Sequence, residues 1–134
     1  MTQIQLIYCS RPFGFDEATL NGLLIQAREN NIRNDITGAL VCRADLYLQL
    51  LEGPKQKIEK TFEKITEDDR HVEVRKLVSQ ASPTRLFPGW AMLDDPARTW
   101  FWTKQEIENG VLEKVTPAQV IDVFVRVAKE IATC

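Results

Sequence analysis

Residues 30–53 have the sequence NNIRNDITGALVCRADLYLQLLEG. Two apolar runs, Ile36–Cys42 and Leu46–Glu52, flank a short polar turn, which predicts a β-hairpin. If Arg43-Ala44-Asp45 is a three-residue turn, it sets the register of the hairpin and places Gln49 opposite a small neighbour, Ala39. This hairpin is the segment from which the rest of the fold is predicted.

Gln49 is out of place in the second of these runs, which is otherwise typical of a strand buried on both faces. A buried primary amide is costly unless its donors and acceptors are matched. We therefore expect polar groups from other segments, or from a ligand, to face Gln49.

The segments around the hairpin alternate between strand and helix patterns. The predicted elements are a strand at Ile4–Cys9, a helix at Asp16–Asn30 with Asp16 as N-cap and a Phe15–Leu20 staple, a second helix with Pro54 at its first position, a strand at Val72–Ala81 and a short strand at Trp90–Leu93. The order β-α-β-β-α-β-β predicts a ferredoxin-like α+β sandwich with two helices on one sheet face.

The C-terminal part predicts a helical extension. A short helix is expected over 104–109, ended by Gly110, and Thr116-Pro117 with Gln119 predicts a capping box at the start of a last helix. This helix has a broad apolar face, which we expect to cover the second face of the sheet or to form an interaction surface. The same two alternatives apply to the aromatic segment Trp100–Trp102, which is either an exposed interaction surface or cover for the second sheet face.

Length and composition set broad limits. A chain of 134 residues with 44% hydrophobic and 27% charged residues suits one globular domain. A net charge of −2 argues against a broad nucleic-acid surface. No apolar run could span a bilayer, and the N-terminus lacks a secretory signal. Three cysteines without metal-ligand spacing favour a cytoplasmic, reduced protein.

Common enzyme motifs are missing from the sequence. It contains no glycine-rich phosphate loop, nucleophile elbow or Cys–His cluster, so no metal site is expected. His71 is the only histidine and is best explained as a residue at a helix C-terminus, with a ligand contact as the alternative. Acid–base catalysis therefore has few candidate groups.

Tyr8, Asn31 and Gln49 form the one polar constellation of interest. Tyr8 and Gln49 are expected on the helix-covered sheet face, and Asn31 could reach the same region from the first helix. A Tyr8–Gln49 hydrogen bond could simply satisfy two core groups, and Asn31 could simply be a left-handed C-cap. A functional site would need a ligand as the third polar partner.

The chain resembles the BLUF family, the blue-light sensors that use a flavin. The resemblance rests on six segments in order: Leu6–Ser10, Asn30-Asn31, Asp35–Gly38, Tyr47–Gly53, Asp69–His71 and Arg85–Met92. It covers about the first two-thirds of the chain and is specific only as a set. It implies a photosensor core at residues 1–95 and leaves residues 96–134 as the helical extension.

The resemblance implies that FAD binds non-covalently between the two helices. Asn31 would hold the polar edge of the flavin ring, and Asn30, Ser10 and Arg70 are weaker candidates for cofactor or backbone contacts. After blue-light absorption Tyr8 would give an electron and a proton to the flavin. Recombination would leave the Gln49 hydrogen bonds rearranged, and this slightly red-shifts the flavin absorption.

The resemblance also implies a signalling role rather than catalysis of turnover. Trp90 and Met92 would form the output end; ordinary core packing is the alternative, with alternation putting both on one sheet face. As a short stand-alone BLUF protein, it would signal through a protein partner or a change of homo-oligomer. A small acylphosphatase-like hydrolase using Arg33 and Asn31, and a light-insensitive interaction module, are the competing hypotheses.

Overall fold

The computed structural model describes residues 3–12, 17–68, 71–96 and 100–132. Its elements are β1 (Gln3–Pro12), α1 (Glu17–Asn34), β2 (Thr37–Arg43), β3 (Leu46–Pro54), α2 (Lys55–Glu67), β4 (His71–Ala81), β5 (Leu93–Pro96), α3 (Lys104–Glu108), a 3-10 turn (Val111–Glu113) and α4 (Pro117–Ala132). The sheet order is β4-β1-β3-β2-β5, with β5 parallel to β2 and the other neighbours antiparallel. The ferredoxin-like prediction is confirmed.

The sheet separates two apolar clusters because successive side chains of a strand point to opposite faces. One cluster joins Leu6 and Tyr8 to α1 and α2 residues such as Leu24 and Ile58. The other joins the opposite face of β1, β2 and β3 to α4, through residues that include Val120, Phe124 and Val127. The expectation that the last helix covers the second sheet face is therefore confirmed.

The aromatic segment before α3 packs inside the second cluster. Phe101 is only 5% exposed, and Trp100 and Trp102 are partly buried against the same residues. Of the two alternatives for this segment, cover for the second sheet face is confirmed and an exposed surface is wrong. Burial of the aromatic rings against α4 and the sheet removes more apolar area from water than an exposed loop would.

The helix caps explain several of the boundaries. Thr116 and Gln119 exchange side-chain and backbone hydrogen bonds at the start of α4, with N···O distances of 2.9 and 3.2 Å, so the predicted capping box is present. A second capping box, between Thr103 and Glu106, starts α3. Pro54 is the N-cap of α2 rather than its first residue, one position from the prediction.

The β2–β3 hairpin has a two-residue turn, and the predicted three-residue turn is wrong. Arg43 pairs with Leu46, so only Ala44 and Asp45 lie outside the ladder. The Arg43 guanidinium donates two hydrogen bonds to the Asp45 carboxylate across this turn, at 2.5 and 3.0 Å. The shorter turn shifts the register by one residue.

This shift places Gln49 opposite Leu40 on β2, whereas Ala39 pairs with Leu50. The predicted Gln49–Ala39 pair is therefore wrong. Ala39 belongs to the α4-facing cluster, while Leu40 belongs to the cluster beneath α1 and α2. The space next to the amide is created by the arrangement of the helices rather than by a small cross-strand neighbour.

Helix α1 runs four residues beyond the predicted end at Asn30. The residue that takes the left-handed conformation is Asp35, with φ of 58°, and the Ile36 amide closes the end by donating to the Asn31 carbonyl at 2.9 Å. Asn31 therefore lies within the last turn and is not a left-handed C-cap. The predicted Asp16 cap and Phe15 staple lie outside the described residues.

The strand predicted at Trp90–Leu93 is wrong in position, because β5 begins at Leu93. Residues 90–92 form the approach to it, where the strict alternation of a strand does not apply. Accordingly Trp90 is 45% exposed while Met92 is 1% exposed, so the two side chains do not share one buried face.

The loop before this approach is held by a buried carboxylate. Glu52, which is 1% exposed, accepts hydrogen bonds from the Leu86 and Phe87 amides at 2.7 and 2.9 Å. It also accepts one from Gln5 Nε2 at 3.1 Å. The three donors satisfy a carboxylate that would otherwise be costly to bury.

Among the described residues, no helix is both long enough and apolar enough to cross a bilayer.

Candidate functional site

Tyr8 and Gln49 meet on the sheet face beneath α1 and α2. They are direct partners in the β1–β3 ladder, and the Tyr8 hydroxyl donates a hydrogen bond to Gln49 Oε1. Their side chains are 0% and 5% exposed. The phenol and the amide are therefore neighbours, as predicted.

The other end of the Gln49 amide faces Met92. Gln49 Nε2 lies 3.4 Å from Met92 Sδ, and a thioether is only a weak acceptor. A primary amide carries two N–H donors, so Gln49 retains capacity for a stronger acceptor. The amide is thus partnered strongly at its oxygen and weakly at its nitrogen.

Two asparagines of α1 lie beside this pair. Asn31 is 1% exposed and donates from Nδ2 to the Ala91 carbonyl at 2.7 Å. Asn30 Nδ2 donates to Asn31 Oδ1 at 3.3 Å and to Thr61 Oγ1 of α2 at 3.0 Å. The prediction that Asn31 reaches the region of Tyr8 and Gln49 agrees with the geometry.

These polar groups line a cavity between α1, α2 and the sheet with a volume of about 320 Å³. Such a volume is typical of small-molecule sites, which span roughly 300–1,000 Å³. Apolar walls and a few convergent amides characterise the lining, which includes Leu23, Leu24, Leu40, Leu51, Ile65 and Met92 beside Tyr8, Asn30, Asn31 and Gln49. The cavity suits a flat apolar ring with a hydrogen-bonding edge.

The lining also includes four charged residues, Glu29 and Arg33 of α1 with Lys64 and Asp68 at the end of α2. Arg33 and Lys64 are the basic residues in the last turns of their helices. Sequence reasoning named Arg33 only under the hydrolase hypothesis and did not name Lys64, although a cation in the last turn of each of two adjacent helices was the available signal. Arg70, the predicted cofactor contact, lies outside the described residues.

Burial controls the protonation of Tyr8. Removal from water raises the pKa of the phenol far above its usual value, and the nearby Asp68 carboxylate and Tyr47 hydroxyl raise it further. Tyr8 therefore keeps its proton throughout the physiological pH range. The proton lies in the hydrogen bond to Gln49.

The two predicted output residues differ in their relation to the site. Met92 contacts Gln49 through its thioether, whereas Trp90 is half-exposed. Arg28, which sequence reasoning missed, donates to the Met92 carbonyl from Nε and from Nη2, at 3.2 and 3.1 Å. No pattern in the sequence pointed to this long-range contact.

Among the residues that the structure describes, no group of three or more His, Cys, Asp or Glu side chains is arranged to hold a metal ion.

A cavity lined by a hydrogen-bonded Tyr–Gln pair and two asparagines points to a class of protein, the flavin-binding sensors. The sequence profile of the BLUF family, described as sensors of blue-light using FAD, matches residues 3–93. The chain belongs to the BLUF family. This result favours the sensor over the hydrolase hypothesis.

Solved structures agree with this assignment over nearly the whole chain. BlrB, a BLUF protein in its dark-state structure, has 25% identity and a TM-score of 0.81, and the match covers 96% of this chain and 97% of that one. The photo-activated state of BlsA has 26% identity and a TM-score of 0.75, with 92% of each chain covered.

A curated relative shares only part of its length with this chain. The blue light- and temperature-regulated antirepressor BluF of Escherichia coli (strain K12) is 33% identical over 61 residues. These residues are 46% of this chain and 15% of that protein.

FAD is the cofactor of the family, and the residues present fit its flavin ring. Gln49 retains donor capacity toward the cavity, and Asn31 is a second buried amide in the lining. The apolar walls match the faces of a planar ring, and the cations Arg33 and Lys64 match the negative charge of a diphosphate.

Proposed function

We propose that Tyr8 and Gln49 are the photochemical pair of this blue-light sensor. The observation that carries the proposal is the hydrogen bond from the Tyr8 hydroxyl to Gln49 Oε1 in the lining of the cavity. A phenol is oxidisable, and its proton already points at the amide whose rearrangement is the proposed response.

Two groups of residues would hold the cofactor. Asn31 and Gln49 would bind the polar edge of the ring, with Asn30 supporting Asn31 through their hydrogen bond. Arg33 and Lys64 would bind the diphosphate, and Arg70 remains a predicted contact there. When bound, FAD supplies the absorption of blue light and an acceptor for an electron.

Tyr8 and Gln49 carry out the switching step. Loss of an electron makes the Tyr8 phenol strongly acidic, so its proton moves along the existing bond toward Gln49 Oε1. Return of the electron and the proton restores Tyr8 without net chemistry. Gln49 remains rearranged, because an amide can present its donor end or its acceptor end to the same neighbour.

Two stable arrangements of Gln49 are plausible on energetic grounds. In the arrangement described here Nε2 has a weak thioether partner and Oε1 has a phenol. Exchange of the two ends turns Nε2 toward the Tyr8 oxygen, which can accept, and turns Oε1 toward Met92, whose thioether cannot donate. The second arrangement would therefore need the edge of the bound ring as the donor to Oε1. A buried site retains the new arrangement until thermal motion reverses it.

The signal would leave through Met92 and Trp90 and act on a protein partner or on self-association, without turnover of a substrate. The contact of Met92 with Gln49 and the exposure of Trp90 support this route. We also propose that residues 1–95 are the sensor core and 96–134 an extension packed on it, a division that the family match over residues 3–93 supports. The cytoplasmic location stays a prediction.

The decisive experiment records the visible absorption spectrum of FAD-loaded protein before and after blue light. We expect a reversible red shift in the wild type and none in Gln49→Leu, which keeps the side-chain bulk but loses the amide. Gln56→Leu, on the exposed side of α2, is the matched control and should respond like the wild type. A normal shift in Gln49→Leu would contradict the proposal.

The output requires a separate measurement. The molar mass in solution, measured by light scattering in darkness and under continuous blue light, should change if self-association carries the signal. An unchanged mass, together with a normal red shift, would assign the output to a different protein partner.

A further inference from the structure

Three successive carbonyls before β5 are bound by other elements. The Trp90 carbonyl accepts from the Gly38 amide of β2 at 3.1 Å, and the Ala91 carbonyl accepts from Asn31 Nδ2 at 2.7 Å. The Met92 carbonyl accepts from Nε and Nη2 of Arg28, at 3.2 and 3.1 Å. The approach to β5 is thus tied to α1 at two consecutive residues.

The contact from Arg28 is the stronger and less expected of these two. Its guanidinium places two N–H groups on one oxygen, and hydrogen bonds from a charged donor are about twice as strong as neutral ones. Arg28 and Asn31 are three residues apart on α1 and therefore lie on one face of the helix. Unlike Asn31, Arg28 is not part of the cavity lining.

Met92 contacts both Arg28 and the photochemical pair. Its thioether lies 3.4 Å from Gln49 Nε2, while its carbonyl is held by Arg28. The main chain of a residue determines where its side chain can reach, so the position of Sδ depends on the hold at the carbonyl. A change at Gln49 consequently acts on a residue anchored to α1.

We propose that Arg28 is a positioning residue of the light switch. It fixes the main chain of Met92 so that the thioether faces Gln49, and it transmits a change at Gln49 to α1. This inference rests on the proposed function, because it requires that Gln49 rearranges in light. It adds a second output path, through α1, to the proposed path through Met92 and Trp90.

The first test is the rate of return to the dark spectrum after a blue flash. Arg28→Met removes every donor at similar side-chain length, and Arg28→Lys keeps the charge without the paired donors. We expect a change in the recovery rate of about fivefold or more for Arg28→Met and a smaller change for Arg28→Lys. Arg11→Met, which removes an exposed arginine paired with Glu73 at 3.7 Å, should recover like the wild type.

The same variants are then made in a Met92→Ala background. If Arg28 acts by positioning the thioether, its replacement should no longer change the recovery rate, because the thioether is absent. If the fivefold effect persists in that background, Arg28 acts on stability alone and the inference is overturned. Equal FAD content in all samples shows that each variant is folded, and Arg28→Lys serves if Arg28→Met is not.

The second test observes the Met92 carbonyl directly. The chain contains only two methionines, so methionine labelled with ¹³C at the carbonyl marks Met1 and Met92, and a Met92→Ala sample supplies the Met1 background. We expect a label-sensitive band in the light-minus-dark infrared spectrum of the wild type. In Arg28→Leu, which removes the donors without adding a labelled methionine, the Met92 band should lie at higher wavenumber, because a carbonyl that loses hydrogen bonds has a stronger C=O bond.

The outcomes separate the two proposals. A wild type without a red shift would contradict the proposed function itself. A normal red shift, combined with an identical Met92 band in the wild type and Arg28→Leu, would overturn only the role of Arg28.

Discussion

Tyr8 and Gln49 are directly opposite each other on β1 and β3, and the phenol of one donates to the amide oxygen of the other. The ladder enforces this pairing, because the flanking pairs Leu6–Leu51 and Ser10–Tyr47 lie in the same register. A slip of one residue would turn Gln49 toward α4. The site is therefore specified by the register of two strands in the middle of the sheet.

Tyr8→Phe should retain FAD and lose the light-induced red shift. The variant removes the hydroxyl that donates to Gln49 but keeps the ring that lies 5.5 Å from the Phe62 ring. We expect the dissociation constant for FAD to rise by less than about tenfold, as measured by fluorescence titration. Illumination should leave the absorption spectrum unchanged.

Tyr47→Phe is the matched control, since Tyr47 is the only other tyrosine and is equally buried on the same sheet face. It should keep the red shift. If both variants kept it, or both lost it, the assignment of the photochemical phenol to Tyr8 would be wrong.

The cations Arg33 and Lys64 should discriminate FAD from riboflavin, which has the same ring without phosphates. Replacement of either by Met should weaken FAD binding about threefold, and replacement of both about tenfold, because exposed ion pairs contribute little individually. Added salt should reduce the difference from the wild type. Titration with both ligands measures the effect.

Riboflavin binding should be unaffected by these two replacements. Lys60→Met, an exposed lysine of α2 outside the cavity lining, should bind both ligands like the wild type. An equal loss for FAD and riboflavin would place the two cations at the ring instead of the diphosphate.

The raised pKa of Tyr8 predicts a specific loss of stability at alkaline pH. Below about pH 10 the phenol is protonated in both the folded and the unfolded chain, so its contribution is fully present. Above that pH the unfolded chain loses the proton while burial keeps it on Tyr8 in the folded state. The free energy of unfolding should therefore fall as the pH rises.

Denaturant unfolding of the wild type and Tyr8→Phe at about pH 9 and about pH 11 tests this expectation. The stability difference between the two proteins should shift against the wild type at the higher pH. An identical difference at both pH values would show that the folded state does not retain the Tyr8 proton.

Glu52→Gln should lower the free energy of unfolding by about 2–3 kcal/mol. The carboxylate accepts from Leu86 N, Phe87 N and Gln5 Nε2, and an amide NH₂ group cannot accept from any of them. Glu59→Gln, on the exposed side of α2, should be neutral. A loss below about 0.5 kcal/mol for Glu52→Gln would mean that the loop before β5 is held by other contacts.

The sequence was sufficient for the order of the elements and for the central pair. Alternation along β1 and β3 allowed Tyr8 and Gln49 to share one face of an antiparallel sheet, and the family resemblance then selected this pair. The misplaced amide within an apolar strand was informative because burial makes an unmatched polar group costly.

The errors arose where one residue decides the outcome. Whether the hairpin turn has two or three residues depends on the pairing of Arg43 with Leu46, and both lengths fit the composition of the turn. The end of α1 depends on Asp35 taking a left-handed conformation, a role more often filled by glycine or asparagine. Local sequence does not determine either choice.

The role of Arg28 could not be inferred because its partner is a backbone carbonyl 64 residues away. Every residue carries a backbone carbonyl, so the sequence does not indicate which carbonyl accepts from Arg28. The cations at the cavity were within reach of sequence reasoning, but only if the ends of α1 and α2 were recognised as neighbours.

The position of Gln49 on β3 has a mechanical consequence. β3 is the central strand and is hydrogen-bonded along its length to β1 and β2. Met92 precedes β5, a four-residue strand at the edge of the sheet. If Gln49 rearranges as proposed, we expect the backbone at Met92 to move more than the backbone of β3, because fewer ladder hydrogen bonds oppose its movement.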